Sequence, residues 1–260
     1  MTISLDDMRS ELTAVMTGNP PGLSSADVLC STCVRLFDID GAAMSVVLDG
    51  ASTGTFGASS TASRRLDEYQ FTYGEGPCLD AVAAQRAVLV PDLDSPAEQR
   101  WPVYRTAVLD EGIRGVFAVP IMVMSVCVGA LDLFRSRPGP LGTNALAGAL
   151  LAAELAAAPL LDLIREASDG DDRDEPSSGT MEGTGPLPPE MDRVEVHQAT
   201  GMLISALDVD ADEALVRLRA HAIASGLTAS QVARAIIERR LMLDRDGHDQ
   251  GGDVGERSGS

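Results

Sequence analysis

Lysine is absent: all 20 cationic residues of the 260-residue chain are arginine, against 39 acids, for a formal net charge of −19. The acid excess is densest in 166–189 and in the last 15 residues, a pattern that solvates extended chain rather than building a core. Only 190–245 approaches balance, with nine acids against seven arginines. Histidine is scarce. His197, His221 and His248 all fall in the last third, which excludes histidine-ligated haem in the front part. Aromatics make up 3%, and all nine lie between Phe37 and Phe134, so the C-terminal part has no ring on which to stack a base. The opening stretch carries Asp6, Asp7 and Glu11 and lacks the basic, then apolar, order of a targeting signal.

Cysteine is limited to Cys30, Cys33, Cys78 and Cys127. Cys30-Ser-Thr-Cys33 is a C-x-x-C, but it sits in the amphipathic run Ala26 to Phe37, where a spacing of three puts both thiols on one helix face. No second C-x-x-C and no nearby histidine completes a zinc set, so buried structural thiols are expected and no metal or cofactor is assigned. Ala145 to Ile164 is long and apolar, yet alanine-rich and interrupted by Glu154 and Pro159. That pattern reads as a core or partner-facing helix rather than a membrane span.

The hydrophobic pattern predicts an N-terminal arm (1–23) with a short helix, then an α/β domain (24–165). An acidic flexible linker (166–189), an all-α three-helix domain (190–245) and a disordered tail (246–260) follow. In the α/β domain, a helix to Phe37 precedes the runs Ala43 to Leu48 and Ser52 to Ala58, joined by Asp49-Gly50. Helices are expected at Ala62 to Phe71, from Pro77, and from Ser95 to Gly112, with strands at Ala87 to Pro91, Gly115 to Met122 and Ser125 to Phe134. This order suits an antiparallel sheet flanked by helices. Beyond the linker, Asp210 with Glu213 and Thr228 with Gln231 mark two helix starts, the third helix running to about Leu243. The first C-terminal helix is assigned the apolar stripe Met191, Val194, Ala199, Met202, Leu203 and Ala206.

Val196-His197-Gln198-Ala199-Thr200-Gly201-Met202-Leu203, continued by Asp212-Glu213-Ala214, Leu218-Arg219, Ala222 and Val232-Ala233, resembles ANTAR domains, which are RNA-binding antitermination modules. Many members of that family carry lysine where Thr200 stands. Gly74-Glu75-Gly76-Pro77-Cys78, Gly115-Val116-Phe117-Ala118-Val119-Pro120 and Cys127-Val128-Gly129-Ala130-Leu131 resemble GAF domains, a ligand-sensing fold. Together they are similar to the GAF–ANTAR regulators common in actinobacteria.

The resemblance implies a signal-responsive antitermination regulator, with RNA stem-loops as partner and an unidentified small molecule as ligand. A homodimer is expected from the two-faced helix at Ala145 to Ile164 and the thin Ala-rich helical core, and a cytoplasmic location from the lack of a targeting pattern. Arg193, His197 and Thr200 share one helix face, and with Arg219 and Arg234 they are the expected RNA contacts. Trp101, Tyr104 and Phe117 are the expected pocket residues. Three alternatives stand beside this reading. The helical domain is a protein-interaction or dimerisation module; Gly226-Leu227-Thr228 before Gln231-Val232-Ala233 is the turn of a DNA-binding helix-turn-helix; or Cys78 or the Cys30/Cys33 pair is catalytic, with Arg35 close to Cys33 and Arg86 one helical reach from Cys78 as the nearest cations in sequence.

Overall fold

The computed structural model describes residues 4–18, 23–48, 51–163 and 193–243. The acidic linker, the tail and the Asp49-Gly50 turn lie outside the described residues. The chain divides into two compact units between Asp192 and Arg193.

The first unit is built on a five-stranded antiparallel sheet in the order β2-β1-β5-β4-β3. Its strands are β1 (Gly41–Leu48), β2 (Ala51–Ala58), β3 (Val88–Val90), β4 (Gly115–Val123) and β5 (Val126–Arg135). Alternation along each strand gives the sheet two buried faces. Met44, Phe56, Phe117, Val119, Leu131 and Leu133 point to one, and Ala43, Val88, Val116, Ala118 and Phe134 to the other. α2 (Leu23–Phe37) and α6 (Thr143–Leu155) cover the first face, with α1 (Leu5–Gly18) packed on both helices. After a turn at Ala156, residues 157–163 form α7. The second face carries α3 (Thr61–Tyr73), α4 (Pro77–Ala84) and α5 (Pro102–Asp110).

The apolar stretch Thr143–Leu163 is long and apolar enough to cross a membrane by length and composition. It instead buries Ala149, Ala152, Ala153, Ala156 and Leu160 in the first core. Gly148 sits against Phe37 so closely that a Cβ would stand 2.5 Å from the ring.

One expected helix starts later than the pattern suggests. Ser95 to Arg100 forms turns, and α5 begins only at Pro102. Proline disfavours helical backbone in the preceding residue, and Trp101 accordingly leaves the right-handed helical region, at φ 53°.

The second unit is a bundle of α8 (Val194–Leu207), α9 (Ala211–Ser225) and α10 (Ala229–Ile237). Asp210 accepts from the Glu213 N–H, and Thr228 and Gln231 form a reciprocal capping box. The buried stripe of α8 is Val196, Ala199, Leu203 and Leu207, rotated from the expected one: Val194 and Ala206 are exposed. α10 stops at Ile237 rather than near Leu243, because Arg239 turns left-handed (φ 57°) and the Arg240 and Leu241 N–H groups fold back to Ala235 O.

Gly129 lies where β5 passes closest to β1, and a Cβ there would stand 2.0 Å from the Ser45 carbonyl oxygen. Gly129→Ala is expected to destabilise the first unit by about 3 kcal/mol or more, because backbone rather than a mobile side chain must move. Thermal or urea unfolding of the variant checks this.

Candidate functional site

Two sets of residues stand out, one in each unit. In the first unit the Gly74-Glu75-Gly76-Pro77-Cys78 segment ties three helices to the sheet. Gly74 closes α3 in the left-handed region (φ 66°), and Pro77 opens α4 at its first turn. Gly76 takes φ 152°, and a Cβ on it would meet Gln70 Oε1 at 2.4 Å. α5 has no cap of its own; instead the Glu75 carboxylate accepts from the N–H groups of Val103 (2.7 Å) and Tyr104 (3.0 Å).

Beneath this segment lies a cluster of polar side chains shut off from solvent. Gln70 Oε1 accepts from the Cys78 N–H at 2.8 Å, and Gln70 Nε2 donates to Asp132 Oδ2 at 2.5 Å. Thr55 donates its hydroxyl to Asp67 Oδ2 at 2.5 Å, and Ser45 Oγ meets Cys78 Sγ at 3.2 Å. Asp67, Gln70, Cys78, Tyr104 and Asp132 are all fully buried. Burial, with Asp67 nearby, pushes the Asp132 carboxyl well above the usual carboxylate range, and the Gln70 donor only partly opposes it. Sequence reasoning passed over this cluster because Asp67 and Gln70 look like ordinary polar positions on an amphipathic helix. The one available signal was Asp132, a lone acid inside the apolar run Gly129 to Phe134.

Of the expected pocket residues, the structure brings Trp101 and Tyr104 together. They are both buried, with rings 6.3 Å apart and edge-on, and Arg100 lies 4.3 Å over the Trp101 ring. Phe117 is separated from them: it points to the opposite face of the sheet, where Arg135 lies over its ring. Strand alternation is the reason, since Val116 and Ala118 take the face that Trp101 and Tyr104 share. An open cleft of about 740 Å³ lies on the Phe117 side, lined in part by Arg35, Asp38, Arg135 and Asn144. The Arg135 donors there are spent on the carbonyls of Arg137, Gly139 and Pro140.

The thiols are shielded by the fold. Cys30, Cys33 and Cys78 are fully buried, and burial is the main cause that raises the pKa of each. Cys127 is half-buried and also raised by burial. Among the described residues no group of three or more metal-ligating side chains exists. With a thiol reagent at pH 8 the native protein is expected to lose at most Cys127, and the other three only on denaturation. Rapid native labelling of Cys78 would contradict this.

In the helical unit, Arg193 at the start of α8 and Arg219 in α9 come together. Burial and the neighbouring Arg193 guanidinium both push the Arg219 pKa down. His197 is exposed one turn on from Arg193. Thr200 donates its hydroxyl to Val196 O at 2.7 Å, so its side chain turns onto its own helix. Arg234 is exposed and lies 3.4 Å from Glu195, joining α10 to α8. Arg217 pairs with Glu213 and Arg240 with Glu238.

Comparison with known proteins assigns both units. The GAF domain family model matches residues 24–160, more than half of the chain, and the ANTAR domain model matches 191–237. Among solved structures, the chain is similar to the GAF domain of a phosphoenolpyruvate-protein phosphotransferase from Coxiella burnetii. The identity is 16% over 65% of this chain and 96% of that one, with a TM-score of 0.48. The corresponding Acinetobacter GAF domain gives 10%, 65%, 99% and 0.48. Free methionine-R-sulfoxide reductase from Neisseria meningitidis, in complex with its substrate, gives 13%, 60%, 87% and 0.44. No curated protein matches. On the match over 24–160 the chain belongs to the GAF domain family, and with the ANTAR domain behind it the chain is a GAF–ANTAR regulator.

Proposed function

We propose that the chain is a cytoplasmic, non-enzymatic regulator whose ANTAR unit binds RNA stem-loops in a nascent transcript and opposes termination in response to a signal perceived by the GAF unit. The observation that carries this reading is the pairing of the two family matches on two separate compact units. Arg193 and Arg219, near enough for one to act on the other's ionisation, and His197 a turn from Arg193 support it, since guanidiniums suit phosphate oxygens. Arg234 belongs to the same proposal at the α8–α10 edge. Thr200 contributes through helix position alone, its hydroxyl being engaged.

The domains are taken as an N-terminal arm (1–23), the sensor (24–165), the linker (166–189), the output unit (190–245) and the tail (246–260). The chain acts as a homodimer, supported by Leu150 and Leu161, both exposed on the outer helices of the sensor. Leu150→Glu is expected to shift the protein toward monomer in sedimentation equilibrium, with its melting temperature unchanged.

A second reading, an output unit that docks on protein, is favoured by one feature. Val216, Ile223 and Leu227 are exposed along α9 and the turn after it, at spacings of seven and four. RNA binding decides between the two. The full chain is titrated with an RNA of tandem short stem-loops, an unrelated RNA and duplex DNA across a salt series. Selective binding that weakens with salt is expected, with a loss of about tenfold or more in Arg193→Ala and in Arg219→Ala. Far-UV circular dichroism confirms that the variants keep their helicity. Equal, weak binding to all three nucleic acids would leave the docking module as the reading.

A further inference from the structure

The polar cluster beneath α3, α4 and α5 is only partly satisfied from within. The Thr55 hydroxyl goes to Asp67, Gln70 Nε2 donates to Asp132, and the Ser45 hydroxyl is in contact with Cys78. Asp132 Oδ1 has no hydrogen-bond partner, and neither does Tyr104 Oη, although both residues are fully buried. Burial, and then the nearby carboxyls of Asp132 and Asp67 and the thiol of Cys78, push the Tyr104 hydroxyl well above its ordinary value. Among the described residues no cationic side chain pairs with Asp132. A buried acid beside a second acid and an unengaged phenol is costly as it stands. A positively charged donor with several N–H bonds would engage Asp132 Oδ1 and Tyr104 Oη together.

We infer that this cluster is the seat of a small organic cation, an ammonium or amidinium group held by Asp132 and Tyr104 with Asp67 beside them. The inference rests on the sensing role proposed for the GAF unit and names the chemical class of its signal.

The route in follows from the same geometry. The cluster is closed, and its cover on the Tyr104 side is α5, nine residues long. α5 is held at its start by the Glu75 carboxylate, next to Trp101 in a left-handed conformation that a bulky residue adopts only under strain. A ligand that engages Tyr104 therefore displaces α5 and with it Trp101, the single tryptophan of the chain. Proton linkage sets the pH dependence. The groups facing Asp132 are Asp67 from α3, Cys78 from α4 and Tyr104 from α5, and Asp132 holds its proton above the usual carboxylate range. A cation takes the place of that proton, so binding tightens as pH rises, by up to about tenfold per unit for one proton released.

The test follows Trp101 fluorescence of the full chain during titration with methylammonium, putrescine, agmatine and acetamidinium chlorides. Sodium acetate and acetamide at matched ionic strength are the controls. The expected result is a saturable response to at least one cation, tighter at higher pH. That response should weaken about tenfold or more in both Asp132→Asn and Tyr104→Phe. Each variant removes a buried group left without its full complement of partners, so both are expected to fold, and their melting temperatures verify it. No saturable response to any cation, a response equalled by acetate or acetamide, or one kept in both variants would overturn the inference. Stem-loop RNA binding is measured on the same samples. If it persists while the cation response is absent, the ligand class fails and the RNA reading stands. A cation response without RNA binding supports the site and removes the antitermination reading.

Discussion

One primary amide organises the side of the GAF sheet that carries α3, α4 and α5. Gln70 reaches from α3 to the backbone of α4 through its carbonyl and to β5 through its NH₂ group, so both ends of its side chain are engaged inside the protein. Its position dictates the glycine at 76, since any side chain there would overlap it. The backbone course through Gly76 in turn delivers Glu75 to the start of α5. Three short helices that could not stay folded alone are thereby fixed to one another and to the sheet. Their relative placement rests on a few directed bonds as well as on the second apolar core.

The ANTAR unit faces a problem of sign: it carries more acid than base, yet its proposed partner is a polyanion. Its answer is segregation rather than surplus. Glu213, Glu195 and Glu238 are taken up by Arg217, Arg234 and Arg240. Arg193 and Arg219 meanwhile lie close enough for one to act on the other's ionisation.

Most of the fold was legible in the sequence because it rests on signals that act locally. Asp210 and Thr228 cap the helices they were expected to cap, and Pro77 opens α4. The strands around Gly115 and Gly129 pair antiparallel as their apolar alternation suggests. Local signals failed where a long-range contact decided the outcome. α5 starts at Pro102, after a left-handed Trp101, and Glu75, 27 residues earlier, supplies its cap. The buried face of α8 is set by α9 and α10 rather than by its own apolar count, which leaves Val194 outside. The candidate site was half legible. Trp101 and Tyr104 were marked by being aromatic in an aromatic-poor chain, and Arg193 and Arg219 by helical position. Phe117 was grouped with the first pair because the parity of β4 relative to α5 is not written in either segment. Asp132, Asp67 and Gln70 come together only through sheet pairing and helix docking.

The composition of the ANTAR core ties its stability to its occupancy. Of its eleven buried apolar residues five are alanine: Ala199, Ala214, Ala222, Ala229 and Ala233. Alanine lets the three helices approach closely, but each buries little area, and only Val196, Leu203, Leu207, Leu218, Val232 and Ile236 contribute about 1.5–3 kcal/mol apiece before chain entropy is counted. So small a bundle retains only a few kcal/mol of net stability. A partner present at about a hundred times its dissociation constant adds roughly 2.7 kcal/mol, comparable to that net stability. Binding and folding are therefore of similar weight in this unit, and a modest change in access to a partner is enough to change how much of it is folded and competent.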